Sequence, residues 1–154
     1  MYEQPIGALL DRRKLLIAAP ATRVDEAAKL MAKRKASAVL IVLRGRVAGI
    51  FTERDAVHRV IARRRDPRAT TLAEVMTRKP RTVSPNETFG YAMLLMHKYG
   101  FRHLPVVENR VPVGVISARN ALDPELEEFV AEAERRENIP RFARGAGRAA
   151  RARA

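Results

Sequence analysis

The 154-residue chain has room for one ordinary domain, or for two very small ones sharing a core, and 47% of it is hydrophobic. It contains no Cys, which excludes disulfides and thiolate metal sites and suits a reducing cytoplasm. A net charge of +13, carried by 24 Arg against 6 Lys, attracts phosphates and polyanions in general without specifying one. No stretch approaches the roughly 18 uncharged apolar residues of a membrane span, and Met1 to Lys14 lacks the long apolar run of a secretory signal. The expectation is a soluble, cytoplasmic protein with no membrane partner.

A shift of 65 residues lays Arg13–Val57 onto Arg78–Leu122 without a gap, with eleven identities over 45 positions. They include Pro20/Pro85, Ala27/Ala92, Met31/Met96, Gly49/Gly114 and Arg54/Arg119. The chain is therefore read as a duplication, with repeats at 1–66 and 67–123.

Taken in order, each repeat predicts β-α-β-β-α, an α/β (α+β) unit. Short extended pieces (Leu15–Ala18; Arg81–Val83) each precede a proline. A helix follows, with Val24, Ala27, Ala28 and Met31 on one face of the first copy and Phe89, Ala92, Met93 and Met96 on that of the second. Thr22 and Thr88 are candidate N-caps. Apolar strands come next (Ala38–Leu43; Leu104–Val107), then turns at Arg44-Gly45 and Glu108-Asn109, then second strands (Val47–Phe51; Val113–Ile116). Pro105 and Pro112 cannot donate to a ladder and belong at strand starts or edges. A closing helix is clearest over Glu53–Arg65, with Ala56, Val57, Val60 and Ile61 as its apolar face. A unit of about sixty residues buries its sheet poorly alone, so the two are expected to pack sheet to sheet. Beyond Asp123, residues 124–140 predict a helix, and 141–154 a basic, disordered tail.

The junction Gly49-Ile50-Phe51-Thr52-Glu53-Arg54-Asp55 ends a strand and opens a helix, and Gly114 to Asn120 repeats it. It admits two readings. A hydroxyl followed three residues later by Asp is a capping-box helix start. Alternatively, the glycine admits a close ligand, and the helix start with its carboxylate receives phosphate or ribose hydroxyls.

These motifs, together with Glu74 to Pro80, Thr82 to Pro85, Ala92, Leu95, Met96 and His103 to Val107, resemble a tandem pair of cystathionine-β-synthase (CBS) domains, the Bateman module. The resemblance covers about Leu9 to Asp123. It implies two clefts between the repeats, each able to hold an adenosyl compound such as AMP, ADP, ATP or S-adenosylmethionine as a regulatory ligand. Carried over, the first cleft would use Thr52, Arg54, Asp55, Thr77, Arg102 and His103. The hydroxyl and carboxylate would face the ribose, and the cations would face phosphates. The second would use Ser37, Ala38, Ser117, Arg119 and Asn120. There Asn120 replaces the acid and Ser37-Ala38 offers no cation, so weaker or no binding is expected. The resemblance also implies a homodimer and a separate effector protein.

Nothing in the sequence assembles a catalytic set: Asp55 has no paired carboxylate, and no P-loop, nucleophile elbow or zinc signature occurs. An enzyme is not expected. His58 and His97 read as residues of solvated helix faces, and His103 as either structural or a phosphate contact. The runs Arg63–Arg65 and Arg141–Arg153 keep a rival open, a non-specific nucleic-acid binder using the pair as a dimer scaffold. Phe142 is the lone aromatic in these runs, too little for sequence-specific base stacking. A third reading, a purely structural module, is disfavoured by the intact Thr52/Asp55 pair.

Overall fold

The computed structural model of the chain describes residues 2–121, the side chains of 120 and 121 excepted. The predicted helix at 124–140 and the tail at 141–154 lie outside them. In chain order the elements are α1 (Ile6–Leu9), β1 (Ile17–Ala18), α2 (Val24–Arg34), β2 (Ala38–Leu43), β3 (Arg46–Thr52) and α3 (Glu53–Asp55). There follow α4 (Leu72–Val75), β4 (Thr77–Arg78), α5 (Phe89–Tyr99), β5 (His103–Glu108) and β6 (Val111–Ser117). α3 runs on as a π-helical stretch, Ala56–Ile61, and a 3-10 turn, Ala118–Ala121, follows β6. The described residues up to Ala118 form one compact unit.

Each repeat makes a hairpin because two apolar stretches flank residues that accept a left-handed backbone. β2 and β3 pair antiparallel across Arg44 and Gly45, at φ 51° and 74°. β5 and β6 do so across Asn109 and Arg110, at φ 50° and 67°. Two successive positive φ values give the turn whose twist matches the strands. The second turn thus sits one residue later than predicted, and Glu108 ends β5. Both ladders shift register at the same repeat position, between Ile41 and Val42 and between Val106 and Val107, so the bulge is duplicated too.

The helices bury the predicted stripes with local exceptions. α2 buries Val24, Ala27 and Met31, whereas Ala28 is exposed. α5 buries Phe89, Ala92 and Met96 and half-buries Met93. Thr88 caps α5, accepting from the Tyr91 N–H, but Arg23 rather than Thr22 stands at the start of α2. The face predicted for Glu53–Arg65 fails more widely. Only Val60 is buried, while Val57 and Ile61 are 51% and 70% exposed. The wider π winding, with Ala62 and Arg65 N–H groups reaching the carbonyls five residues back, breaks the 3.6-residue period.

The leading segment of each repeat packs on the other repeat. Residues near the N-terminus bind the start of α5: Ile6 N–H donates to Glu87, Gly7 to Pro85, and Phe89 to Gln4. The segment entering α4 does the same for α2, with Val24 donating to Thr70, Leu72 to Thr22 and Ala73 to Pro20. β4 then pairs antiparallel with β3, giving the sheet order β1-β2-β3-β4. Val39, Ile41 and Phe51 face the first core with Met31, Val60 and Leu72. Ala38, Leu40 and Ile50 turn the other way and meet Val115 of β6, which joins the hairpins sheet to sheet.

One proline breaks the symmetry. In the first repeat Leu40 N–H donates to Leu16 at 2.9 Å, and β1 pairs parallel with β2. The counterpart of Leu40 is Pro105, which has no N–H, so this bond has no equivalent at the carbonyl of Arg81, the counterpart of Leu16. The expected strand at Arg81–Val83 reduces to a single parallel bridge between Val83 and Val106. Pro105 therefore directs its missing donor at the edge of the β5–β6 ladder, as a strand proline must.

Candidate functional site

β3 delivers Thr52 to a junction where the ladder ends and the helix begins. Thr52 is extended at φ −122°, and its Oγ1 accepts from Asp55 N–H at 3.3 Å. Asp55 Oδ2 in turn accepts from Thr52 N–H and Oγ1–H, each at 2.9 Å. This is a closed capping box, so the local helix-start reading holds. The box also immobilises the carboxylate. Among the described residues Oδ1 faces only Arg59 Nε, at 3.4 Å, and the side chain keeps 13% of its exposure. A carboxylate oxygen with two lone pairs can accept further donors there.

A cleft of about 620 Å³ opens in front of this box. All six residues named for the first cleft line it: Thr52, Arg54 and Asp55 at the β3–α3 junction, Thr77 on β4, and Arg102 and His103 at the start of β5. Residues from sequence positions fifty apart converge because β4 crosses to β3 while β5 begins beside them. The volume falls within the roughly 300–1,000 Å³ of small-molecule sites.

Sequence reasoning missed other lining residues. His58 and Arg59 reach the cleft from the π stretch, where His58 remains exposed as expected. Nothing in the sequence marks that change of winding. Lys79 and Arg81 line it from the segment after β4, and Phe101 from the approach to β5. Arg81 was legible in principle, since a repeat alignment sets it opposite the buried Leu16. Its guanidinium carbon lies 3.7 Å over the Tyr99 ring, which is near-parallel to Phe101 at 6.3 Å.

One expectation needs correction. Gly49 and Gly114 were open to a reading as close ligand approaches, but both are packing positions. A Cβ on Gly49 would collide with the Met76 sulfur, and on Gly114 it would meet Leu10 Cδ2 at 2.6 Å. Ser37 and His103, named for different clefts, touch each other. Ser37 Oγ and His103 Nε2 share a hydrogen bond of 2.7 Å, linking the starts of β2 and β5. Of the other second-cleft residues, Ala38 is buried at the start of β2 and Ser117 half-buried at the end of β6. Arg119 is exposed, and the side chain of Asn120 lies outside the described residues. Among the described residues no group of three His, Cys, Asp or Glu could hold a metal, and no helix is long and apolar enough to cross a membrane.

Comparison with known proteins accords with this geometry. The sequence model of the CBS domain matches residues 6–62 and again 72–124. A CBS domain-containing protein of Arabidopsis thaliana, CBSCBSPB3, is 31% identical over 109 residues, covering 70% of this chain but 20% of the relative. The chain thus spans about a fifth of the length of that relative. The CBS domain protein PAE2072 of Pyrobaculum aerophilum, complexed with AMP, superimposes with a TM-score of 0.70 at 26% identity, covering 76% of this chain and 89% of that one. The CBS domain pair of protein MJ0100, in complex with 5′-methylthioadenosine and S-adenosyl-L-methionine, matches equally well, with TM-score 0.70, 26% identity, and 77% and 96% coverage.

Proposed function

Since the chain belongs to the CBS-domain family, with two such domains in tandem, we propose that it is a regulatory binding module whose first cleft holds an adenosyl compound. The observation that carries this reading is the convergence of Thr52, Arg54, Asp55, Thr77, Arg102 and His103 on one cleft. Asp55 Oδ1 is the acceptor for the ribose hydroxyls, held in place by the capping box. The cations of the cleft meet phosphate, and Phe101 offers an apolar surface to the base. The ligands of the two similar structures, AMP in one and methylthioadenosine with S-adenosylmethionine in the other, share the adenosyl group that this arrangement suits.

The site acts as a receptor rather than a catalyst. Its two carboxylates are Glu53 and Asp55, and Asp55 is already committed to Thr52 and Arg59. A ligand spanning the β3–α3 junction and the approach to β5 touches both repeats, so it favours whichever packing of the repeats brings those groups closest. That bias is the signal, passed to a second copy of the chain or to an effector protein. Mass spectrometry of small molecules released by denaturing the purified protein tests the reading. One adenosyl compound per chain is the expected result. Release of none, with no uptake on incubation with AMP, ATP or S-adenosylmethionine, would contradict it.

A further inference from the structure

We infer that the first cleft selects its ligand by phosphate number, taking nucleoside di- and triphosphates over the monophosphate and rejecting cationic S-adenosylmethionine, with Lys79, Arg81 and Arg102 as the phosphate-binding group. This rests on the adenosyl reading and goes beyond it in fixing the ligand class.

Charge is the first ground. The cleft is lined by five cations, Arg54, Arg59, Lys79, Arg81 and Arg102, against the carboxylates of Glu53 and Asp55. Arg59 is paired with Asp55 at 3.4 Å. Among the described residues, no carboxylate comes within ion-pair distance of Arg54, Lys79, Arg81 or Arg102. Uncompensated like charges converging on one concave surface raise the local potential and attract a polyanion. A monophosphate has too little charge to answer three such groups, and a sulfonium cation is repelled by all of them.

The broken symmetry of the repeats is the second ground. The counterparts of Lys79, Arg81 and Arg102 in the first repeat are Lys14, Leu16 and Ser37. Two of the three cations therefore stand where the other copy has a buried leucine and a serine bonded to His103. Arg81 is available to the cleft because Pro105 cannot donate to its carbonyl and leaves it off the ladder.

Local geometry is the third. The Tyr99 ring under Arg81 restrains the guanidinium, so less freedom is lost when it binds an anion. Lys79 adopts φ 45° directly before Pro80, where a residue is ordinarily extended. A lysine in the left-handed region is a strained choice where glycine or asparagine would sit more easily, and such strain collects at binding sites. Its N–H is fixed to the Ala48 carbonyl at 3.1 Å, which holds the segment on β3.

Calorimetric titration of protein stripped of bound ligand, with adenosine, AMP, ADP, ATP and S-adenosylmethionine, tests the inference. ATP is expected to bind at least about tenfold tighter than AMP, one step of about 1.4 kcal/mol, and tighter still than S-adenosylmethionine. Lys79→Ala, Arg81→Ala and Arg102→Ala each lower ATP affinity about tenfold and leave adenosine within about twofold. All three side chains are exposed, and circular dichroism checks that each variant folds. ATP affinity should fall with added salt while that of adenosine stays flat. Equal affinity for AMP, ADP and ATP, or tight S-adenosylmethionine binding, overturns phosphate selection and leaves the adenosyl reading standing. Failure of all five ligands to bind overturns both.

Discussion

Gly49 shows how a residue can be picked out for one reason and kept for another. The repeat alignment marks it, and a glycine at a strand end invites a ligand. The structure fills that space with Met76 and the Thr77 carbonyl, because β4 arrives from a segment nearly thirty residues away. No local pattern announces that crossing. Gly49→Ala is expected to cost about 1–3 kcal/mol, as overpacking does. Gly114→Ala should cost less, since the flexible end of Leu10 can move aside. Urea denaturation of both variants checks the order, and an unchanged midpoint for Gly49→Ala would contradict the packing account. Thr52 and Asp55 were fully legible by contrast, because their interaction is local in sequence and only its partner across the cleft is not.

Helices show where periodicity stops being a guide. α2 and α5 follow it because eleven-residue helices on one sheet present a single face to it. The Glu53–Arg65 segment departs because its π stretch moves Val57 and Ile61 outward and brings His58 and Arg59 to the cleft. α4 offers a test by pH. Glu74 Oε2 accepts from the Thr71 N–H at 2.7 Å and from its hydroxyl at 2.9 Å. These two bonds hold the Glu74 carboxyl below its ordinary value, with a smaller contribution from Arg65. A depressed carboxylate stabilises the fold fully above its unfolded pKa and loses that contribution as pH falls through the folded one. The gap in denaturation midpoint between parent and Glu74→Gln should therefore hold at neutral pH and close below about pH 4. A gap independent of pH would assign the effect to something other than this cap.

At the scale of the whole molecule, duplication was the most readable feature, since eleven identities at one offset need no structure to interpret. The exchange of leading segments was not readable, because each precedes its own repeat in sequence while hydrogen-bonding the other. Lys79 was equally hidden, and Arg81 was marked only by standing opposite Leu16, because their place in the cleft depends on that exchange. Ile61 at 70% and Leu94 at 68% are exposed apolar side chains on the helices, and a helix-mediated homodimer is the assembly expected to cover them. Light scattering during size exclusion should give about twice the 17.3 kDa chain mass, and Ile61→Asp should shift the population toward monomer. A monomer at all micromolar concentrations would exclude that assembly.

The binding claim itself turns on Asp55. Charge-assisted bonds to ribose hydroxyls are worth roughly 1.5–3 kcal/mol each, so Asp55→Ala should weaken AMP binding by about one to two orders of magnitude. Loss of the helix cap adds only about 1 kcal/mol of instability, which leaves the fold intact for the comparison. The deciding measurement is calorimetric titration of AMP into ligand-stripped parent and Asp55→Ala protein. A tenfold to hundredfold rise in Kd for the variant is the expected result. Equal AMP affinity in the two proteins would contradict the assignment of this cleft.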